Sequence, residues 1–303
     1  MSQLRRLPKF EFVGPRSLAE VCALTAEAAA GEVLLLAGGT DAILQMRRRE
    51  RTPRRVVGLK GVRDLAFVRE TGEGGLAIGA MTTLAELLAA PLVRSRYALL
   101  CETAAQIGGI ELRNVATVGG NVAGALPCAD LPPALMALEA RVKLSSRRGE
   151  RWVPLDEFFP EFGRTAARDG ELVSEIGLPR PAPGSGGAYL KFHDRHSMDM
   201  TVVGVSACVT RDAERGVVRD LRLAFASAAP TVFRARRAEA LLRGAALTEQ
   251  ALEEVAEAAC READPRTSWR ANREYRQALV RSLTKRAIGQ AWAKAAANEG
   301  APS

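Results

Sequence analysis

A glycine pair between an apolar run and a helical pattern constrains this sequence more than any other feature. Residues 33–36 (VLLL) are short and apolar and predict a buried strand. Residues 42–50 mix apolar with long polar side chains and predict an amphipathic helix. Gly38 and Gly39 fill the turn between the strand and the helix. This succession of strand, glycine turn and helix predicts an anion site, because backbone N–H groups point outward together at such a turn. The alternative is a tight turn that needs glycine only for a positive φ.

A second loop of the same style lies further along the chain. Thr40 and Asp41 stand where the N-cap of the first helix is expected. Later, Gly119 and Gly120 precede Asn121, which alone could be a turn residue. Two such loops imply one ligand with two polar ends or one long diphosphate. Neither loop is the G-x-G-x-x-G fingerprint or a Walker A loop, so the two commonest phosphate folds are excluded.

Asp130 has two possible roles. It stands just before Pro132 and Pro133, and a helix is predicted over residues 134–140. An acidic residue ahead of first-turn prolines is ordinary helix capping. A position beside a cofactor is the other possibility, and the residues alone leave both open.

The composition describes an ordinary globular protein. The chain has 303 residues, 47% of them hydrophobic and 26% charged, enough for two domains with real cores. The net charge of +8 raises the question of nucleic acid, but the basic residues are scattered and form runs typical of solvated helix faces. With three Trp, three Tyr and no reading motif, no nucleic-acid partner is expected.

The cysteines and the apolar runs exclude further classes of protein. Five cysteines lie far apart without any Cys-x-x-Cys, which excludes an iron–sulfur cluster or zinc knuckle made by neighbouring ligands: Cys22, Cys101, Cys128, Cys208 and Cys260. No stretch has the pattern of a signal peptide or the length of a membrane span. We therefore expect a cytoplasmic protein with reduced thiols and no membrane span.

A proline- and glycine-rich stretch divides the chain. Residues 179–187 (PRPAPGSGG) predict a linker. Beyond it, residues 201–210 and 217–227 predict the two strands of a β-hairpin. Three closing helices are predicted over residues 234–242, 248–263 and 272–295. No acid–base pair or nucleophile constellation is visible, so no catalytic residue is assigned.

Taken together, the two glycine loops resemble those of a known family. The stretches LLAGGTDAIL (residues 35–44) and RNVATVGGNVAGALPCADLPPALMAL (residues 113–138) are similar to the FAD-binding, or medium, subunit of the molybdenum hydroxylases. This is the family of xanthine dehydrogenase and aerobic CO dehydrogenase. Further similar stretches follow in the family's order over nearly the whole chain: residues 10–24, 76–87, 188–205 and 272–291.

The resemblance implies an α+β fold. A two-subdomain FAD-binding fold of the vanillyl-alcohol-oxidase (PCMH) type would be followed by a smaller C-terminal domain with an antiparallel sheet and helices. We expect residues 1–180 to form the FAD-binding domain, with subdomains of about 1–58 and 59–180. Residues 188–297 would form the C-terminal flavoprotein domain of CO dehydrogenase type.

The resemblance also implies a set of cofactor-binding residues. In the family the two glycine loops hold the FAD diphosphate from both sides, and a diphosphate reaches backbone amides best where no Cβ intervenes. The implied residues are Ala37, Gly38, Gly39, Thr40, Asp41, Ile107, Ala116, Thr117, Gly119, Gly120, Asn121, Asp130 and Lys191.

Three of these residues have competing interpretations. Asp130 and Lys191 align with residues near the flavin, where a lysine would favour the negatively charged reduced ring. Lys191 could instead be an exposed lysine at a strand end, and Ile107 a plain core residue. Arg195 and Asp199 match a family pattern but could simply pair with each other.

The sequence departs from the family pattern in a few places. Leu126 stands where the family usually has serine, Cys128 replaces a small residue, and residues 227–230 (SAAP) replace a more glycine-rich stretch. His193 and His196 lie near Lys191 but outside the diphosphate loops. Covalent histidyl attachment is therefore not expected, and the FAD should be noncovalent.

The implied function is an electron relay. The resemblance implies that a large molybdopterin subunit oxidises the substrate, a small [2Fe–2S] subunit passes electrons on, and FAD on this chain delivers them to NAD, quinone or oxygen. It also implies a dimer of heterotrimers. The molybdopterin and the [2Fe–2S] clusters are expected only on partner subunits. One alternative is a self-sufficient flavin oxidoreductase of the same fold, whose proton donor could only be Ser206 or Glu239. The other is a basic non-catalytic binding module, which would hold no flavin.

Overall fold

Three β-sheets organise the chain in sequence order. The computed structural model describes residues 6–26, 28–29, 31–195 and 198–298. The strands are β1 Glu11–Val13, β2 Val33–Leu36, β3 Arg55–Gly58, β4 Val68–Glu70, β5 Leu76–Gly79, β6 Arg141–Ser146, β7 Gly149–Pro154, β8 Leu172–Leu178, β9 Ser185–Phe192, β10 Val203–Asp212, β11 Val217–Ala226 and β12 Phe233–Arg234.

Helices cover these sheets and connect their strands. They are α1 Leu18–Ala26, α2 Ala42–Arg48, α3 Leu84–Ala89, α4 Pro91–Arg96, α5 Ala98–Ala105, α6 Ile110–Arg113, α7 Val118–Ala123, α8 Leu131–Ala137, α9 Arg236–Leu242, α10 Glu249–Glu262 and α11 Arg273–Asn298. Within the described residues, none of these helices is both long enough and apolar enough to cross a membrane.

The first sheet is small and parallel. Its order is β1–β3–β2, and both outer strands run parallel to β3. Parallel neighbours need crossover connections, which here contain α1 and α2. The predicted strand over residues 33–36 is confirmed as β2, and the first glycine loop leaves its carboxyl end toward α2.

The second sheet has five antiparallel strands in the order β4–β5–β8–β6–β7. Between β5 and β6 the chain forms α3 to α8, so the second glycine loop is carried on this insertion. The sequence analysis did not predict β6, β7 and β8. The reason is visible in β8, which is buried on both faces at most of its positions and therefore lacks the alternation of a half-buried strand.

The third sheet is antiparallel, in the order β12–β11–β10–β9. Its central hairpin and the three closing helices confirm the predictions from the sequence. Apolar residues of β9, β10 and β11 share one core with those of α9, α10 and α11. The chain is thus α+β, as expected.

Two local predictions were wrong. α8 begins at Leu131, ahead of the predicted start at residue 134, because the two prolines fit a first helical turn, where the N–H they lack has no partner anyway. Gly119 and Gly120 lie in the first turn of α7, which Thr117 caps through its hydroxyl, and not in an irregular loop.

A buried ion pair ties α9 to the third sheet. Glu239 is 2% exposed, and its Oε1 accepts hydrogen bonds from Leu223 N at 2.8 Å and Arg234 Nε at 2.9 Å. Its Oε2 accepts from Arg234 Nη2 at 2.8 Å. All the donors lie on β11 and β12, so this carboxylate fixes the helix against the sheet edge.

Replacing this glutamate should destabilise the C-terminal part strongly. Glu239→Ala leaves the Arg234 guanidinium buried without its carboxylate, so we expect a loss of about 3–5 kcal/mol in the free energy of unfolding, measured by urea denaturation. Glu254→Ala on the exposed face of α10 is the control and should change it by less than about 0.5 kcal/mol. Equal effects of the two substitutions would contradict this account.

Candidate functional site

The two glycine loops pack directly against each other. A Cβ added to Gly38 would lie 2.0 Å from the carbonyl oxygen of Val115, and one added to Gly119 would lie 2.5 Å from the Cβ of Ala80. Both contacts are far shorter than any real Cβ contact. These glycines are therefore required by the packing of protein on protein, whatever ligand they face.

A cleft opens where the loops meet. Its volume is about 340 Å³, within the size range of small-molecule and cofactor sites. Every residue predicted in the two loops lines it: Ala37, Gly38, Gly39, Thr40, Asp41, Ala116, Thr117, Gly119, Gly120 and Asn121. The structure thus brings these loop residues to one surface.

The two loops offer different groups to a ligand. Around the second loop, Val118 N donates to Thr82 O and Gly119 N to Ala80 O, each at 2.9 Å, and Gly120 N donates to Thr117 Oγ1 at 3.0 Å. In the described part of the chain, the backbone N–H groups of residues 37–41 donate no hydrogen bond. The first loop therefore offers a run of free amides, whereas residues 118–120 of the second loop use theirs within the protein.

Asn121 has an unmatched acceptor in this cleft. Its Oδ1 is buried and has no hydrogen-bond partner among the described residues. A buried acceptor without a donor costs about 1–3 kcal/mol, so it indicates a ligand hydroxyl or N–H at this place. The free amides of the first loop and this carbonyl oxygen together fit a cofactor with both anionic and hydroxyl groups, as FAD has.

Asp41 occupies the N-cap position of α2, but its side chain forms no capping hydrogen bond. Burial raises the pKa of its carboxyl group. Asp41 therefore favours its neutral form more than an exposed aspartate does. This lessens the repulsion between its side chain and an anionic group in the same cleft.

Asp130 is the centre of a buried polar cluster with Tyr189, Lys191 and Thr201, which we call the carboxylate cluster. Asp130 is 7% exposed; its Oδ1 accepts from Tyr189 Oη at 2.6 Å and from Thr201 Oγ1, and its Oδ2 accepts from Lys191 Nζ at 3.0 Å. It occupies the N-cap position of α8 without a side-chain capping bond, so the capping interpretation is wrong.

Lys191 is not an exposed strand-end lysine either. Its side chain is 3% exposed, and besides Asp130 its Nζ contacts Gln106 O at 3.5 Å. This second contact places the ammonium group beside the end of α5, next to Ile107, which is buried in the core. Ile107, Asp130 and Lys191 therefore form a second group of predicted residues, outside the lining of the glycine cleft.

A second cavity adjoins the carboxylate cluster, and we call it the arginine cavity. Its volume is about 170 Å³, and Cys128 and Thr201 line it on the side of the cluster. Its positive charge comes from Arg266, Arg270 and Arg276. The sequence analysis had assigned the arginine runs to solvated helix faces and missed this site.

Among the described residues, no carboxylate forms an ion pair with the guanidinium groups of this cavity. Arg276 is 4% exposed and donates to Ser268 Oγ at 2.9 Å, but its Nε and that of Arg270 are buried without partners among the described residues. Burial and the charges of Arg266 and Arg270 lower the pKa of Arg276. The lining carboxylate, Asp264, already pairs with Arg273 at 2.8 Å. The cavity is therefore built for an anion.

Two of the family departures lie at the arginine cavity, which Cys128 and Ser227 line. Burial, followed by the charge of Asp130, raises the pKa of the Cys128 thiol, which makes it a poor nucleophile. Ser227 adopts a φ of 59° in the SAAP stretch. His193 is half-buried and contacts Arg195 O through Nδ1, and His196 lies outside the described residues.

Arg195 and Asp199 pair with each other, as one interpretation of the sequence held. Arg195 Nη2 lies 3.4 Å from Asp199 Oδ1, and the arginine side chain is largely exposed. The aspartate also accepts from the backbone N–H groups of residues 194, 195 and 200. The pair therefore shapes the loop before β10.

No proton donor for an independent flavin enzyme lies at the candidate positions. Ser206 is fully buried in β10, and Glu239 is held by Arg234 in the C-terminal core. Neither lines the glycine cleft or the arginine cavity. Among the described residues, no group of His, Cys, Asp and Glu side chains is arranged to hold a metal ion.

Comparison with known proteins matches two families in succession. The family described as FAD binding domain in molybdopterin dehydrogenase matches residues 8–181, and the CO dehydrogenase flavoprotein C-terminal domain matches residues 188–291. A xanthine dehydrogenase FAD-binding subunit of Escherichia coli O157:H7 is 34% identical over 86% of this chain and 89% of its own length.

A CO dehydrogenase provides both sequence and structural similarity. The carbon monoxide dehydrogenase medium chain of Hydrogenophaga pseudoflava is 32% identical over 95% of this chain and 99% of its own length. A solved structure of carbon monoxide dehydrogenase from that organism aligns with a TM-score of 0.92 and 34% identity, covering 95% of this chain and 99% of that one. The expected FAD-binding fold with a C-terminal domain is confirmed.

The contact between the loops yields a prediction about cofactor binding. Gly38→Ala should push the first loop away from Val115, because overpacking of this kind costs about 1–3 kcal/mol, and should weaken FAD binding about tenfold or more. The measurement is titration of the flavin-free chain with FAD, with circular dichroism to establish folding.

Gly72→Ala is the matched control, since no atom lies within 4 Å of a Cβ added there. It should bind FAD as the unaltered chain does. A folded Gly38→Ala chain with unaltered FAD affinity would contradict the role assigned to the loop contact.

Proposed function

The chain belongs to the FAD-binding subunits of the molybdopterin dehydrogenases, and on that premise we propose that it relays electrons from the [2Fe–2S] clusters of a partner subunit to a nucleotide acceptor. It is an oxidoreductase subunit, and its cofactor is FAD. The observation that carries the proposal is the glycine cleft, with its free amides and its unmatched acceptor.

We propose a role for each loop in holding the cofactor noncovalently. The backbone N–H groups of residues 37–41 would bind the diphosphate, with the hydroxyls of Thr40 and Thr117 as further donors. Asn121 Oδ1 would accept a hydrogen bond from a hydroxyl of the cofactor. The remaining predicted loop residues, Ala116, Gly119 and Gly120, would shape the second wall, because their packing brings the loops together.

The second group of residues would lie beside the flavin ring. When bound, FAD supplies two-electron transfer and gains negative charge as it is reduced. Lys191 would place a cation near that charge, with Asp130 holding its ammonium group and Ile107 packing against the ring. Since relay needs no acid–base residue, the chain's own part is to bind, to orient and to set the local electrostatic field.

The assembly is part of the same proposal. The partners would be a molybdopterin-binding large subunit and a [2Fe–2S] small subunit, in a dimer of heterotrimers. The names of two relatives, medium chain and FAD-binding subunit, support a place in an assembly of several subunits. A cytoplasmic location is supported by the five unpaired cysteines. The domain boundaries near residues 58, 180 and 188 are supported by the three separate sheets.

The arginine cavity supports an anionic acceptor. Quinone and oxygen are uncharged. Neither would compensate the positive charge of three guanidinium groups that have no carboxylate partner among the described residues. The diphosphate of NAD would compensate this charge, because a guanidinium group can donate two parallel hydrogen bonds to phosphate oxygens. Phe162, exposed at the cavity lining, and Trp269, exposed beside Arg270, offer rings on which a base could stack.

The first test concerns the cofactor itself. The purified chain should show a flavin absorption spectrum and should release about one FAD per chain on heating, identified by chromatography. Asn121→Ala should bind FAD about tenfold more weakly, because one hydrogen bond to the cofactor is lost, while its unfolding free energy in the flavin-free state should not fall. A colourless chain that takes up no FAD, even beside its neighbouring subunits, would overturn the proposal.

The second test concerns the acceptor. In the FAD-loaded chain, Arg266→Gln and Arg270→Gln should each raise the dissociation constant for ADP-ribose about tenfold, because each removes one charged phosphate contact. Arg286→Gln, an exposed arginine further along α11, should have no effect. Binding that is the same in all four proteins would exclude the arginine cavity as the acceptor site.

A further inference from the structure

The carboxylate cluster joins the two halves of the chain. Asp130 lies in the N-terminal half, between α7 and α8, whereas its three donors all lie beyond the linker. Tyr189 and Lys191 stand on β9, and Thr201 precedes β10. A buried carboxylate is stable only when its oxygens are hydrogen-bonded or paired, and here that condition is met entirely by the other domain.

We propose that Tyr189 and Thr201 are positioning residues that set the reduction potential of the flavin, by fixing and neutralising the Asp130 carboxylate that holds Lys191. This inference rests on the proposed function, because it takes Lys191 to lie beside the ring. Neither Tyr189 nor Thr201 is among the cofactor-binding residues that the glycine loops or the family resemblance imply.

The division of hydrogen bonds on the carboxylate supports this role. Oδ1 receives both hydroxyls, and Oδ2 receives the Lys191 ammonium at 3.0 Å. With Oδ1 occupied by two donors, the carboxylate cannot rotate freely, so the ammonium has one position. Tyr189 and Lys191 are two apart on a strand and therefore project from the same face toward the same carboxylate.

Tyr189 is itself held in place. A Cβ added to Gly204, which pairs with Lys191 on β10, would lie 2.7 Å from the Tyr189 hydroxyl oxygen, so the glycine leaves room for this hydroxyl. Burial, followed by the charge of Asp130, raises the pKa of Tyr189 well above its ordinary value. The hydroxyl therefore stays protonated and remains a donor at every working pH.

The electrostatic consequence follows from the charges. Asp130 is negative and Lys191 positive, and the two hydroxyl dipoles offset part of the negative charge. Without one hydroxyl, the carboxylate would oppose the lysine more strongly. The net field near the ring would then disfavour added negative charge, and the flavin would be harder to reduce.

Tyr189→Phe and Thr201→Val test this in the FAD-loaded chain. Each should keep its FAD but lower the equilibrium constant of two-electron reduction about tenfold, a shift of about −30 mV in the midpoint potential measured by spectroelectrochemistry. Thr201→Ser keeps the hydroxyl and should restore the potential. Tyr97→Phe is the matched control, because it removes another buried tyrosine hydroxyl, one that donates to Pro179 O at 3.0 Å.

The Tyr97→Phe control distinguishes an effect on the reduction potential from an effect on the stability of the fold alone. If Tyr189→Phe and Thr201→Val lower the melting temperature as Tyr97→Phe does but leave the potential unchanged, the cluster only joins the domains and the inference is overturned. Loss of FAD from both variants would also overturn it, since the two residues would then serve binding and not tuning. Absence of FAD from the unaltered chain is a different result, because it overturns the proposed function itself.

Discussion

A carboxylate buried between two domains determines how this protein is put together. Asp130 cannot stay charged away from water unless donors surround it, and each of its donors belongs to the C-terminal domain. The orientation of that domain is therefore fixed at this point. Thr201, one of the donors, also lines the arginine cavity, so the same contact that closes the domain interface positions a wall of the cavity.

The glycine loops express a second constraint, which is steric. Gly38 approaches the backbone at Val115, and Gly119 approaches Ala80, more closely than any side chain would permit. The amides of Val118 and Gly119 donate within the protein, whereas those of residues 37–41 donate no hydrogen bond in the described part of the chain. In the proposed function the first loop would therefore bind the anion, while the second would provide a wall and Asn121 Oδ1, which has no partner among the described residues.

The sequence predicts the features that local pattern determines, and misses those that depend on distant residues. The strand over residues 33–36, the C-terminal hairpin and the closing helices follow from apolar spacing and are present. β8 was not predicted, because burial on both faces removes the alternation of apolar and polar residues that marks a half-buried strand. Asp130 could be read as a helix cap because its true partner Tyr189 lies 59 residues away, and no local pattern announces such a contact.

The structure shows which basic residues of the chain lie at a candidate binding site. Arg266, Arg270 and Arg276 are close in the sequence, but only the fold shows that they line one cavity, where burial and the neighbouring arginines lower the pKa of Arg276 and no ion pair with a carboxylate is found among the described residues. Lys191, by contrast, is matched by Asp130. Under the proposed function, the cofactor changes its charge in each catalytic cycle and an anionic acceptor binds nearby. The Lys191 ammonium, compensated by Asp130, would serve the first need by setting a potential, and the arginines of the arginine cavity would serve the second by providing binding energy.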